Sequence, residues 1–139
     1  MRAFFDTNVL LDVLLRRADF YDDSARVWTL AERNRFEGCA SAVSFVNVFY
    51  MVARVRDREE AGRAVREMID IFTPTTCDGQ VVRQAVHAGL SDFEDAVQYF
   101  SALHAGADCI LTRNAAGFPR RPAVSVLSPR EFLAQLDRV

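Results

Sequence analysis

Residues 4–12 read Phe-Phe-Asp-Thr-Asn-Val-Leu-Leu-Asp. Two phenylalanines run directly into a carboxylate, Asp6, and apolar residues resume at Val9. The run ending at Phe5 reads as a strand over Ala3–Phe5. Leu10, Val13 and Leu14, spaced i, i+3, i+4, read as a helix behind it. An acid between the two is either a turn residue closing the strand or a group held at the edge of a sheet.

Outward from this stretch, apolar runs of strand length alternate with helical periodicity. A second helix carries Val27, Leu30 and Ala31, and a second strand spans Phe36–Ser41. Phe45, Val48, Phe49 and Val52 form a stripe in a segment so apolar that its helix is expected to be covered on both sides. An Arg- and Glu-rich helix follows near residues 57–69, then a strand at Ile69–Thr73 and a helix near 79–89. Ser91-Asp92-Phe93-Glu94 matches a capping box. The helix it opens has Phe93, Ala96, Val97 and Phe100 as its expected core face. Strands at Cys109–Thr112 and Val124–Leu127 come next, and Ser128-Pro129 starts a last helix with proline at its first position. Five strands alternating with helices predict an α/β fold with a mainly parallel sheet. The chain, with no linker or repeat, reads as one domain spanning residues 1–139.

Composition narrows the chemistry. Of 139 residues half are hydrophobic, and the net charge is −2. All seventeen cationic residues are arginine. Lysine-based catalysis is thereby excluded, while guanidinium groups suited to phosphate are plentiful. Three cysteines, Cys39, Cys77 and Cys109, are an odd number and are expected to be reduced in a cytoplasmic protein. No apolar run reaches membrane-span length, and the start, Met-Arg-Ala-Phe-Phe, carries no signal-peptide pattern.

In an open parallel sheet, ligands bind outside the carboxyl ends of the strands. Asp6 falls at that edge, as does Thr112-Arg113-Asn114. Asp92 and Asp95 head the helix leading into the Cys109 strand, so the topology gathers acids that lie far apart in sequence. Clustered carboxylates raise one another's pKa unless a cation occupies the site. All-oxygen donors point to Mg²⁺ or Mn²⁺. Asp92 could equally serve the helix dipole. Glu94 is expected to be the capping-box partner, Asp12 a solvated i, i+4 pair with Arg16, and His104 a core residue.

The pieces FFDTNVLLDVLL, SAVSFVNVFYMV, SDFEDAVQYFSALHAGADCILTRN and VSVLSPREFL, in this order, resemble a PIN domain of the kind found in VapC-type toxins of toxin–antitoxin pairs. The resemblance spans essentially the whole chain. It implies a three-layer α/β/α fold, Mg²⁺- or Mn²⁺-dependent ribonuclease activity, an antitoxin partner and a homodimer. It carries the family's first Asp to Asp6 and the following hydroxyl to Thr7. The later helix Asp falls on Asp95, with Asp92 as an additional candidate. Asn47 stands where a Glu is usual, Asn114 where an acid or amide follows the Thr-Arg pair, and Gly117 where a further acid is frequent. Asp6 and Asp95 are then the expected metal ligands, and Asp92 the acceptor of a proton from water. Asn47 and Asn114 would be neutral site residues, with Thr7 and Arg113 at the substrate and Arg120 and Arg121 as further phosphate clamps. Two other folds with a strand-end Asp, haloacid-dehalogenase-like phosphatases and response-regulator receivers, require a lysine and are excluded. The alternative is a catalytically impaired PIN domain that binds RNA or protein.

Overall fold

A computed structural model describes residues 1–137. The chain runs β1 (Arg2–Phe5), α1 (Thr7–Leu14), α2 (Tyr21–Glu32), β2 (Glu37–Ser41), α3 (Ala42–Val55), α4 (Arg58–Ile71) and β3 (Thr73–Thr75). It continues through α5 (Gly79–His87), α6 (Phe93–His104), β4 (Cys109–Leu111), a 3₁₀ turn at Ala115–Gly117, β5 (Ser125–Leu127) and α7 (Pro129–Leu136). The five strands form one sheet in the order β3-β2-β1-β4-β5, and every pairing is parallel. No helix among the described residues is long and apolar enough to cross a membrane.

Strand alternation splits the core between the two faces of the sheet. Ala3 and Phe5 of β1 and Leu111 of β4 join Leu10, Trp28, Phe45, Met68 and Phe132 from α1–α4 and α7. Phe4 and Ile110 point the other way, onto Tyr99 and Ala102 of α6 and onto Phe118. The result is the expected three-layer α/β/α arrangement, with the central strand β1 buried on both faces. The last helix begins as expected, with a complete Ser128–Glu131 capping box and Pro129 in its first turn.

Several local expectations are corrected. Helix α4 continues through Ile71, with Ile69 exposed, so the third strand lies at Thr73–Thr75 rather than Ile69–Thr73. Ala61, Ala64 and Met68 carry the buried helical stripe past the point where a short apolar run could be read either way. Pro74 is tolerated because β3 is an edge strand. Helix α3 is covered on one side only; Val46, Tyr50 and Val55 are exposed. Phe93 is exposed rather than core. His104 is also exposed and pairs with Gln84 Oε1 at 2.6 Å.

Asp12 departs furthest from expectation. It is wholly buried and does not pair with Arg16. Its Oδ2 accepts from Arg113 Nε at 3.0 Å and its Oδ1 from Arg17 Nη1 at 3.4 Å. Burial raises its pKa, and the two arginines offset this only in part. The ion pair ties α1 to the segment leaving β4.

Gly38 in β2 lies where sheet and helix layer approach most closely. A Cβ there would sit 2.8 Å from Phe72 Cδ1 and 3.2 Å from the Ala31 Cβ. Overpacking of this kind typically costs about 1–3 kcal/mol. Gly38→Val is therefore expected to lower unfolding stability by roughly that amount, measured by urea denaturation.

Candidate functional site

The chain builds β2 and β3 on one side of β1 and β4 and β5 on the other. Strand order therefore reverses between β1 and β4, and the crevice outside their carboxyl ends is where such sheets bind ligands. Asp6 enters this crevice directly from β1, its N–H donating to Leu111 O at 2.9 Å. It occupies the N-cap position of α1, yet its carboxylate makes no capping hydrogen bond. Instead Oδ2 accepts from Thr112 Oγ1 at 2.7 Å, while the buried Oδ1 has no partner. The Thr7 and Asn8 N–H groups lie near enough to favour the charged carboxylate, but neither makes a full helix cap with it.

Asp95 comes from the first turn of α6 and is 6% exposed. Its Oδ2 is also buried without a partner. Burial first, then the neighbouring charges of Asp6, Asp92 and Glu94, push its pKa up to about 7. Burial likewise raises Asp6, against the pull of the Thr112 hydrogen bond. Two unpartnered buried oxygens on mutually repelling acids are what a divalent cation would satisfy. Among the described residues, no three His, Cys, Asp or Glu side chains gather into a ready ligand cluster. The donor set fits an ion held by one or two carboxylates and completed by water and phosphate, as Mg²⁺ commonly is.

A buried polar seam fixes the two acids relative to each other. Thr7, next to Asp6, lies 2.7 Å from Ser44 Oγ of α3. Gln98, one turn after Asp95 and fully buried, donates to the same oxygen at 3.1 Å. Ser101 adds a bond to Ser41 at 3.2 Å. Sequence reasoning missed Ser44 and Gln98, although a signal existed. Asp95, Gln98 and Ser101 recur every three residues on an otherwise apolar helix face.

The remaining expected residues divide. Asp92 rather than Ser91 caps α6, its Oδ1 accepting from the Asp95 N–H at 3.0 Å. Glu94 is freed from any capping role and lines a cleft of about 300 Å³ with Thr7 and the half-buried Asn47. Asn114 is exposed, and its backbone N–H donates to Thr112 Oγ1 at 3.1 Å. Two residues expected at the substrate are committed elsewhere. Thr7 is buried in the seam. Arg113 is bound to Asp12 and lies 4.1 Å over the Phe20 ring. Arg120 and Arg121 are exposed.

Gly117 is more than a missing acid. A Cβ on it would stand 1.9 Å from Asp95 Oδ2 and 3.2 Å from Asn114 Nδ2. The Asp95 carboxylate therefore occupies the space a side chain at 117 would need, and the loop after β4 closes directly onto it.

Two outcomes are expected from this geometry. The Asp95 pKa is about 7 folded and near 3.8 unfolded, so between these values the folded state holds the extra proton. Its stability therefore falls as pH rises through that window. In EDTA, Asp95→Asn should be more stable than wild type at pH 8 by up to about 4 kcal/mol, the gap shrinking to less than half of that at pH 5. Urea denaturation at the two pH values checks this. In a double-mutant cycle, Gly117→Ala should destabilise wild type but cost far less beside Asp95→Ala, with a coupling of about 1–3 kcal/mol.

A profile of the PIN domain family matches residues 2–116. Solved structures of similar fold include DNA-bound VapBC from Salmonella typhimurium, at TM-score 0.70 and 14% identity, covering 93% of this chain and 98% of that one. VapBC2 from Rickettsia felis, bound to a DNA fragment from its promoter, gives TM-score 0.69 and 15% identity over 92% and 98% of the two chains. Mycobacterium tuberculosis VapC20, described as a sarcin-ricin loop cleaving toxin, gives TM-score 0.67 and 15% identity over 86% and 98%. No curated protein matches significantly by sequence. The family match covers most of the chain and the α/β fold accords with these structures, so the chain belongs to the PIN domain family.

Proposed function

We propose that this PIN domain is a Mg²⁺- or Mn²⁺-dependent endoribonuclease, acting in the cytoplasm as the toxin of a VapBC-type toxin–antitoxin pair. The whole chain works as one domain, takes RNA as substrate, and pairs with an antitoxin and a second copy of itself. The observation that carries the reading is the pair of buried, unpartnered oxygens, Asp6 Oδ1 and Asp95 Oδ2, on acids whose charges oppose each other. Family membership and the VapBC-like fold support it.

In this reading Asp6 and Asp95 would hold the ion. When bound, it would acidify water and neutralise charge on the scissile phosphate. Thr112 keeps one Asp6 oxygen turned away and leaves the other free to ligate. Asp92 is exposed at the rim with one oxygen on the Asp95 N–H, and its other oxygen would accept a proton from water. Asn47 and Asn114 offer neutral donors and acceptors at the site. Arg120 and Arg121 meet the phosphate backbone, where guanidinium pairs well with phosphate. With Arg113 held by Asp12, its part is to fix the loop carrying Asn114.

The neutral Asn47 and Asn114, with Gly117 supplying no side chain where a further acid is frequent, favour one second reading. That reading is an impaired PIN domain that binds RNA or protein without cleaving. Cleavage of an unstructured RNA, measured with Mg²⁺ or Mn²⁺ and after EDTA, separates the two. Asp6→Asn and Asp95→Asn are each expected to lower kcat about a hundredfold or more, in line with the loss of metal-held catalysis. EDTA should abolish turnover in wild type. Equal background activity in all three proteins would favour the binding module instead.

A further inference from the structure

We infer that the cleft between α1 and α3 is a subsite for one unpaired RNA nucleotide, with its base laid on Tyr50 and its phosphate met by Arg54. This inference rests on the ribonuclease reading above.

The cleft has a volume of about 300 Å³ and is lined by Asn8, Asn47, Tyr50, Met51, Arg54 and Glu94, among others. It also includes Thr7. Thr7 and Glu94 are the chain neighbours of Asp6 and Asp95, so the cleft leads outward from the paired acids. Its size is at the lower end for small-ligand pockets, room for a single nucleotide and not for a helical duplex.

Its lining combines an aromatic face, apolar Leu11 and Met51, and amides, as a nucleobase site requires. Tyr50 is 62% exposed on a helix whose opposite side is core, so packing gives no reason for an aromatic there. Its ring stands edge-on to Phe49, with centroids 5.3 Å apart and planes at 83°, which orients it. Exposed aromatics beside polar clefts are the usual platforms for splayed-out RNA bases. The side-chain amides of Asn8 and Asn47 each offer donors and an acceptor, as a base edge requires. Glu94, when ionised, accepts only, and so suits an exocyclic amino group. Arg54 lies one turn beyond Tyr50 on the same face of α3 and is exposed. The other arginine of the cleft, Arg17, is already engaged by Asp12 at 3.4 Å. That makes Arg54 the cation for phosphate at the outer end.

The test measures binding of a fluorescently labelled, unstructured RNA oligonucleotide in EDTA, which separates affinity from cleavage, and then KM and kcat with Mn²⁺. Tyr50→Ala is expected to weaken binding about tenfold and to raise KM with little change in kcat. Tyr50→Phe should bind within about twofold of wild type, since it keeps the stacking face. Arg54→Gln should flatten the salt dependence of log Kd by about 0.7, the loss of one phosphate contact. Both side chains are exposed, so thermal unfolding should be unchanged, and a duplex of the same sequence should show no Tyr50 effect. Wild type binding and cleaving RNA while Tyr50→Ala matches it in Kd and KM would overturn the subsite and leave the ribonuclease reading standing. Wild type neither binding nor cleaving any RNA would overturn both. Equal losses on duplex and single strand would also sink the subsite, because stacking on Tyr50 needs an unpaired base.

Discussion

Two buried carboxylates that repel each other have to be held in one crevice, and much of the polar architecture of this chain serves that end. Asp6 is delivered by the innermost strand and Asp95 by the first turn of α6. Left alone, they would relax apart or take up protons. The chain blocks the first escape. Thr112 grips one oxygen of Asp6, Asp92 caps the helix that carries Asp95, and the Thr7–Ser44–Gln98 seam locks the supporting helices. Every hydroxyl and amide in that seam is buried, where an unmet polar group is expensive. Small displacements of α6 would therefore break bonds as well as move an acid.

A second electrostatic unit lies close by with the opposite character. Asp12 is buried, but it meets two guanidinium groups. Removing one partner from such a pair leaves an uncompensated buried charge, typically a penalty of about 3–5 kcal/mol. The two acids of α1's neighbourhood thus have contrasting fates. Asp12 is neutralised within the protein and becomes structural, whereas Asp6 keeps an oxygen in reserve. The same unit draws Arg113 across Phe20 and sets the course of the chain from Thr112 to Asn114.

Most of the fold was legible because strand-length apolar runs and helical periodicity alternate cleanly. Caps whose chemistry is local, such as Ser128 with Glu131, were legible too. The misreadings arose where long-range packing overrode a local pattern. Asp12 and Arg16 have ideal helical spacing, but the true partner, Arg113, is 101 residues away in sequence. At the head of α6 two capping patterns compete, and Asp92 wins over Ser91, which turns Glu94 into the cleft. That Asp6 and Asp95 meet at one edge of the sheet was legible from their positions at a strand end and a helix start. Ser44 and Gln98 were not, since a hydroxyl or amide in an apolar helix reveals its role only once three helices are brought together.

Gly117 constrains how such a site can change by substitution. The oxygen of Asp95 already fills the volume that any side chain at 117 would claim. An acid introduced there by one substitution would displace the carboxylate it was meant to assist. The two positions are coupled: an acid at 117 fits only once the Asp95 carboxylate has turned away or the loop carrying residue 117 has shifted.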